Sequence, residues 1–142
     1  AKVWTVEDGL KFDLKGHTKE IYTVRWTPTG PGSSHPDSPL QLCSASFDGT
    51  VKVWNMEDGS MTLNLSRHGQ PVYSLATNPS GNILAAGSLG GYVTLWSLKD
   101  GSMVNEVRGM GDTFDVSWST DGSMLSSCFS SGAINIMLVD AE

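Results

Sequence analysis

His17, Ser44 and Asp48 are the three side chains here whose combination could make or break a covalent bond. A serine hydroxyl, an imidazole to take its proton and a carboxylate to hold the ring are the parts of a nucleophilic triad. Such a triad would be labelled covalently by a serine-directed probe. The surroundings argue otherwise. Ser44 stands in Leu42-Cys-Ser-Ala-Ser46, a strand-like run with no G-x-S-x-G turn to expose a nucleophile. Cys43 and Cys128 have neither CxxC spacing nor a nearby His partner, so no zinc site is expected. They read as reduced, buried thiols, with a disulfide as the alternative. No cofactor and no metal are expected.

What positions these residues is an internal repeat. Asp8–Gly9, Asp58–Gly59 and Asp100–Gly101 each follow a tryptophan by four residues, at Trp4, Trp54 and Trp96. Trp54 and Trp96 are 42 residues apart, whereas Trp4 and Trp54 are 50 apart. The excess is an inserted segment, Pro31–Pro39, whose nine residues have no counterpart in the next unit. Without it the period is about 41, the length of a four-stranded propeller blade. His17 to Trp54 then spans 28 residues, as do His68 to Trp96 and Gly109 to Met137. Tyr22, Tyr73 and Phe114 align, as do Val24, Leu75 and Val116.

Turn signals divide each unit into short strands. The first unit offers Ile21–Trp26, Leu42–Ser46, Val51–Trp54 and Met61–Leu65. The second offers Val72–Thr77, Ile83–Ser88, Val93–Trp96 and Met103–Val107. The third offers Thr113–Trp118, Met124–Cys128 and Ala133–Leu138. Two further strands, Ala1–Trp4 and Lys11–Leu14, precede them. The fold class is all-β: a partial unit at 1–15, then units at 16–66, 67–108 and 109–142. Closed propellers need about 4–8 blades, so this propeller segment does not close a ring and needs the rest of the propeller to do so. Glu142 is expected near a natural C-terminus, and Ala1, inside a strand, looks like a cut.

Composition sets the outer limits. The chain has 142 residues, 15 acidic against 9 basic, a net charge of −6 and 39% hydrophobic residues. It is too apolar for a disordered acidic tail. It lacks the basic footprint of a direct nucleic-acid binder. No signal-peptide pattern and no apolar run long enough to cross a bilayer is present, so no membrane role is expected.

Gly16-His17, the Ser44-Ala-Ser46-Phe-Asp48 turn and Trp54 resemble the signature of WD40 repeats. The signature implies a hydrogen-bond relay in which Asp48 orients His17. The imidazole then bonds a strand hydroxyl, Ser44 or Ser46, which reaches the buried Trp54 indole. Such a relay satisfies groups that would each cost about 1–3 kcal/mol if buried unpaired. His68 and Trp96 keep part of it in the second unit, where Gly90 stands in the Asp place. Gly109, Ser131 and Met137 replace all three residues in the third. The first unit is therefore expected to be the stiffest.

Lys19-Glu-Ile-Tyr-Thr-Val-Arg-Trp26, Thr27-Pro-Thr-Gly-Pro31 with its polar insertion, and Leu42-Cys-Ser-Ala-Ser-Phe-Asp48 closely resemble the transducin-β-like nuclear corepressor subunit family. Arg67-His-Gly-Gln-Pro-Val-Tyr-Ser74 and Phe114-Asp-Val-Ser-Trp118 match that family's last two units; Gly90 departs from its usual Asp. The resemblance implies a non-catalytic nuclear scaffold in a histone-deacetylase corepressor complex, contacting corepressor peptides and histone tails. A WD40 substrate receptor or adaptor of a ubiquitin ligase is the alternative.

The register assigns two ends to the strands. Lys15, Lys19, Arg67 and Arg108 fall at the histidine end, which is expected to be mildly basic. Glu7, Asp8, Asp37, Glu57, Asp58, Asp100 and Asp121 fall at the other, opposed there by Lys99. At the histidine end Tyr22, Tyr73 and Phe114, with Phe47 and Leu89 on adjacent turns and Lys19 and Glu20 beside them, form a candidate peptide-docking patch. Simple alternation would instead put Tyr22 in the inter-blade core with Val24 and Trp26. A bulge in the inner strand would turn it outward. The insertion, with His35, is expected to be a solvated loop.

Overall fold

The computed structural model describes residues 1–67 and 69–140. Among them, thirteen strands form antiparallel sheets of two, four, four and three. The hairpin is β1 (Lys2–Thr5) and β2 (Gly9–Asp13). The first full blade is β3 (Ile21–Trp26), β4 (Gln41–Ser46), β5 (Thr50–Asn55) and β6 (Met61–Ser66). The second is β7 (Val72–Thr77), β8 (Ile83–Ser88), β9 (Tyr92–Ser97) and β10 (Met103–Arg108). The third is β11 (Thr113–Trp118), β12 (Met124–Phe129) and β13 (Ile134–Leu138). Each blade runs in sequence order from its inner strand outward, and the arrangement is an open stretch of propeller.

Strand edges differ from the sequence expectation by a residue or two, most at the hairpin. There β2 begins at Gly9, because the turn ends at Asp8, and Leu14 lies beyond the ladder. Leu14 is buried nonetheless, and its amide donates to the Ala1 carbonyl at 2.7 Å.

Three apolar layers fill the spaces between successive sheets. Leu14, Leu42, Trp54 and Met56 pack between the hairpin and the first blade. Cys43, Ala45, Val51, Val53 and Leu65 meet Val72, Leu75, Leu84, Ala86 and Trp96 between the first and second blades. Ala85, Val93 and Leu95 meet Val116, Leu125 and Phe129 between the second and third. Leu42 and Cys43 are neighbours on β4 yet serve different layers, because successive side chains point to opposite faces. Central strands β4 and β8 are therefore buried on both faces, which explains their near-continuous small and apolar residues.

Both cysteines are free; Cys43 is fully buried but Cys128 only half-buried, which corrects the expectation of two buried thiols. Burial pushes the Cys43 thiol up to about 12, so it stays protonated and serves as a small apolar side chain. The Pro31–Pro39 insertion is largely exposed, and it is organised by its own bonds: the Gly30 amide donates to the His35 carbonyl, and Ser33 Oγ to the Gly30 carbonyl.

Candidate functional site

The turn between β4 and β5 brings Asp48 under the loop that carries His17. His17 Nδ1 lies 2.9 Å from Asp48 Oδ2, and His17 Nε2 lies 2.8 Å from Ser44 Oγ. The Trp54 indole N–H donates to the same Ser44 oxygen at 2.9 Å. An ionised carboxylate only accepts, so Nδ1 carries the proton facing Asp48. In the neutral ring Nε2 then accepts from the Ser44 hydroxyl. Of the two candidate hydroxyls Ser44 is the relay member. Ser46 Oγ instead donates to the Lys19 carbonyl and accepts from the Asp48 amide.

Asp48 has four donors. Besides the imidazole, the Thr18 amide reaches Oδ2, and the Thr50 amide and hydroxyl reach Oδ1. Burial raises its pKa, but the bonds from the Thr50 hydroxyl, the Thr18 amide, His17 and the Thr50 amide outweigh that. The carboxyl is held well below the usual range.

These distances are those of a serine hydrolase triad, so distance alone does not decide the chemistry. Access decides it. Ser44 is 0% exposed, and the His17 and Asp48 side chains are 3% and 7% exposed. The oxygen that would attack is already the acceptor of the indole N–H. A substrate carbonyl has no approach, and the trio is a structural clasp joining the entry loop, the turn and β5.

In the second blade the indole finds a different hydroxyl. His68 lies outside the described residues. Ala86 occupies the register place of Ser44, and the Trp96 indole donates to Thr94 Oγ1 at 3.1 Å. The turn itself has another shape, a 3-10 turn over Leu89–Gly91 with Gly90 at φ +80°. Its Gly90 amide donates to Asp112 Oδ1 at 2.8 Å, and Arg108 Nε donates to the Gly90 carbonyl. A carboxylate from the third blade thus holds the turn that Asp48 holds from within in the first. Ala86, Thr94 and Asp112 were missed from sequence; the loss of serine at Ala86 was the one visible signal. Thr94→Val should cost about 1–3 kcal/mol, since the Trp96 indole is then buried without an acceptor. Adding Ala86→Ser should recover part of that loss, measured as the shift in denaturant midpoint.

In the third blade Ser131 Oγ donates to the Met110 carbonyl, and Met137 is a half-buried member of the apolar layer. The indole of this blade, Trp118, lies on its inner strand and donates to the Ala76 carbonyl at 3.0 Å.

At the same end of the strands the aromatic residues come together. Each inner strand has a register irregularity at the aromatic position: Ile21/Thr23 in β3, Val72/Ser74 in β7 and Thr113/Asp115 in β11. The irregularity takes these rings out of the alternation that buries Leu75 and Val116. Tyr22 is 59% and Phe114 54% exposed, and Tyr73 is half-buried between them. Tyr22 contacts Phe47 with centroids 5.6 Å apart and Tyr73 at 5.0 Å; Phe47 and Tyr73 are 5.4 Å apart. Phe114 continues the row at 6.4 Å from Tyr73. Leu89 is half-buried on the adjoining turn, and Lys19 and Glu20 are exposed beside Tyr22.

This end is closer to neutral than the register implied. Arg67 pairs with Glu106 at 3.4 Å, Lys15 with Asp13 at 3.5 Å, and Asp112 lies against Gly90. Arg108 stacks over Tyr92 at 5.0 Å. Asp13 stands two residues before Lys15, and Glu106 reaches Arg67 from the outer strand of the same blade. At the opposite end the Ser119 hydroxyl and the Ser123 amide and hydroxyl lower Asp121 to about 2. Ser60 and Ser102 act likewise on Asp58 and Asp100.

The family model described as "WD domain, G-beta repeat" matches residues 9–55 and 59–97. Among characterised proteins, the WD40 repeat-containing protein HOS15 of Arabidopsis thaliana is 44% identical over 138 residues, which is 96% of this chain and 22% of that protein. The F-box-like/WD repeat-containing protein TBL1Y of Homo sapiens is 46% identical over 104 residues, 73% of this chain and 20% of that protein. Coronin-7 of Mus musculus is 38% identical over 72 residues, 51% of this chain and 7% of that protein. The chain thus spans about a fifth of the length of the first two relatives. The similarity to TBL1Y agrees with the transducin-β-like resemblance of Lys19–Trp54. The paired sheets, the relay around Trp54 and these matches together make the chain a member of the WD-repeat family, an open stretch of a propeller of the kind that serves as a scaffold for protein–protein contacts.

Proposed function

We propose that this chain is part of a non-catalytic scaffold in a nuclear, histone-deacetylase-containing corepressor complex. Its Tyr22–Phe47–Tyr73–Phe114 row is the docking place for a corepressor peptide or a histone tail. The observation that carries the proposal is that row itself. Three rings in mutual contact with a fourth, Phe114, against Tyr73, two of the four more than half exposed, offer an apolar anchor at low entropic cost. The inaccessibility of Ser44 supports a role without catalysis, and the net charge of −6 supports a protein partner over direct nucleic-acid binding.

The test is capture from nuclear extract on the full-length protein, read as histone deacetylase activity. Tyr22→Ala with Tyr73→Ala should reduce captured activity tenfold or more, as expected for paired hot-spot residues, while the melting temperature changes little. A sharp fall in melting temperature would place the rings in the core. Activity that survives would move the contact to another surface. Ubiquitin-ligase subunits in place of deacetylase would favour the adaptor alternative, which the words "F-box-like" in the name of the TBL1Y relative keep in view.

A further inference from the structure

The end of β5 opposite Asp48 leads into a groove of about 440 Å³ between the hairpin and the insertion. Pro31, Pro36 and Pro39 form its walls, with Leu40 and Met56 between them. The Met56 amide donates to the Leu40 carbonyl at 3.1 Å, tying the two together. Prolines lose little freedom when covered, and the insertion is braced by its own hydrogen bonds, so the groove is preformed.

Its charges have one sign to spare. Asp37 and Glu57 line it, and Asp58 is the next residue along the turn. The single cation in the lining, Lys11, is already engaged: Nζ donates to the Met56 carbonyl at 3.3 Å and lies 5.1 Å from the Phe12 ring centroid. Asp58 spends Oδ1 on the Ser60 amide and hydroxyl, which keeps its carboxyl ionised into acid. Phe12 packs beneath Gly59 of the same turn, so the hairpin and this turn form one rim.

The geometry points to this groove as a second docking site, distinct from the aromatic row, for a lysine- or arginine-rich peptide that seats one apolar side chain among the three prolines. An apolar floor with an ionised acidic rim matches a basic segment with a single apolar anchor. It repels an acidic one. Because the site lies at the other end of the blades, it stands or falls independently of the aromatic row.

The probe is a fluorescein-labelled Lys/Arg-rich peptide with one central leucine, titrated into the full-length protein and read by anisotropy. A Glu/Asp-rich peptide of equal length is the control. Binding should be specific to the basic peptide and should weaken as salt is raised. Asp37→Lys with Glu57→Lys should weaken it tenfold or more, and the isosteric Asp37→Asn alone should weaken it measurably. Both sites are exposed, so melting temperature should hold, and Tyr22→Ala should leave this binding unchanged. Equal binding of the acidic peptide, or undiminished affinity in the double charge reversal, would overturn the proposal. So would equal affinity for a peptide in which glycine replaces the leucine, because the groove would then contribute nothing.

Discussion

Replacing Asp48 with alanine should lower the unfolding free energy by about 3–5 kcal/mol, because it removes a carboxylate that accepts four hydrogen bonds and leaves donors unpaired at about 1–3 kcal/mol each. Its four hydrogen bonds join three segments of chain: the entry loop at His17 and Thr18, the turn itself, and the start of β5 at Thr50. Alanine would leave the Thr18 and Thr50 amides without their carboxylate partner and release the imidazole. Ser44 would then lose a fixed partner, although the Trp54 indole would keep its acceptor. The acid dependence follows from the depressed pKa. A group whose folded pKa lies below its unfolded value contributes stability that is complete above the unfolded value, near 3.9 for an aspartate, and is lost as pH falls through the folded value. The stability gap between the wild type and Asp48→Asn should therefore be constant near neutrality and shrink below about pH 4. Asp58, Asp100 and Asp121 are lowered as well, but they are common to both proteins and cancel in the difference. Denaturant midpoints across a pH series measure it. A gap that stays constant into acid would mean that the turn needs the shape of Asp48 and not its charge.

Most of the architecture was legible because propeller blades repeat. One well-marked unit around His17, Asp48 and Trp54 calibrates its fainter neighbours, and the nine-residue insertion declares itself as the large break in register. The relay in the first blade was legible for the same reason, apart from the choice between Ser44 and Ser46. Alternation could not make that choice, since both side chains point to the same face. Contact depends on which hydroxyl sits level with the indole. What was not legible came from pairings that the repeat register does not encode, one between units and two within the second. Asp112 holding Gly90, Glu106 neutralising Arg67 and Thr94 accepting from Trp96 are contacts that no spacing rule within a unit displays. The outward turn of Tyr22 lay between these cases. Alternation and the bulge gave opposite answers, and the register break at Ile21/Thr23 decided it. A bulge depends on local backbone hydrogen bonding, for which Lys19-Glu-Ile-Tyr-Thr carries no distinctive residue.

Backbone contacts between the second and third units make two adjacent glycines unequal. Gly90 and Gly91 have nearly the same φ, +80° and +81°. A side chain at either costs about 1–2 kcal/mol for the left-handed geometry alone. A Cβ on Gly90 would stand 3.1 Å from the edge of the Tyr92 ring, which can rotate away. A Cβ on Gly91 would stand 2.5 Å from the Gly111 carbonyl oxygen and 2.6 Å from that of Gly109. These are backbone atoms of the link from β10 to β11, and the Gly109 amide is itself bonded to the Gly91 carbonyl at 2.8 Å. They can yield only if the second and third blades move apart. Gly90→Ala should therefore cost about 1–2 kcal/mol, and Gly91→Ala about 2–5 kcal/mol once overpacking is added. The second change should also loosen the turn that carries Leu89 and unseat Asp112, so hydrogen exchange should rise in β11 as well as at the turn. Thermal melts of the two variants provide the comparison. Equal losses would show that the β10–β11 link moves aside freely, and that the two blades are held by their apolar layer of Val93, Leu95, Val116 and Leu125 rather than by the close approach of their backbones.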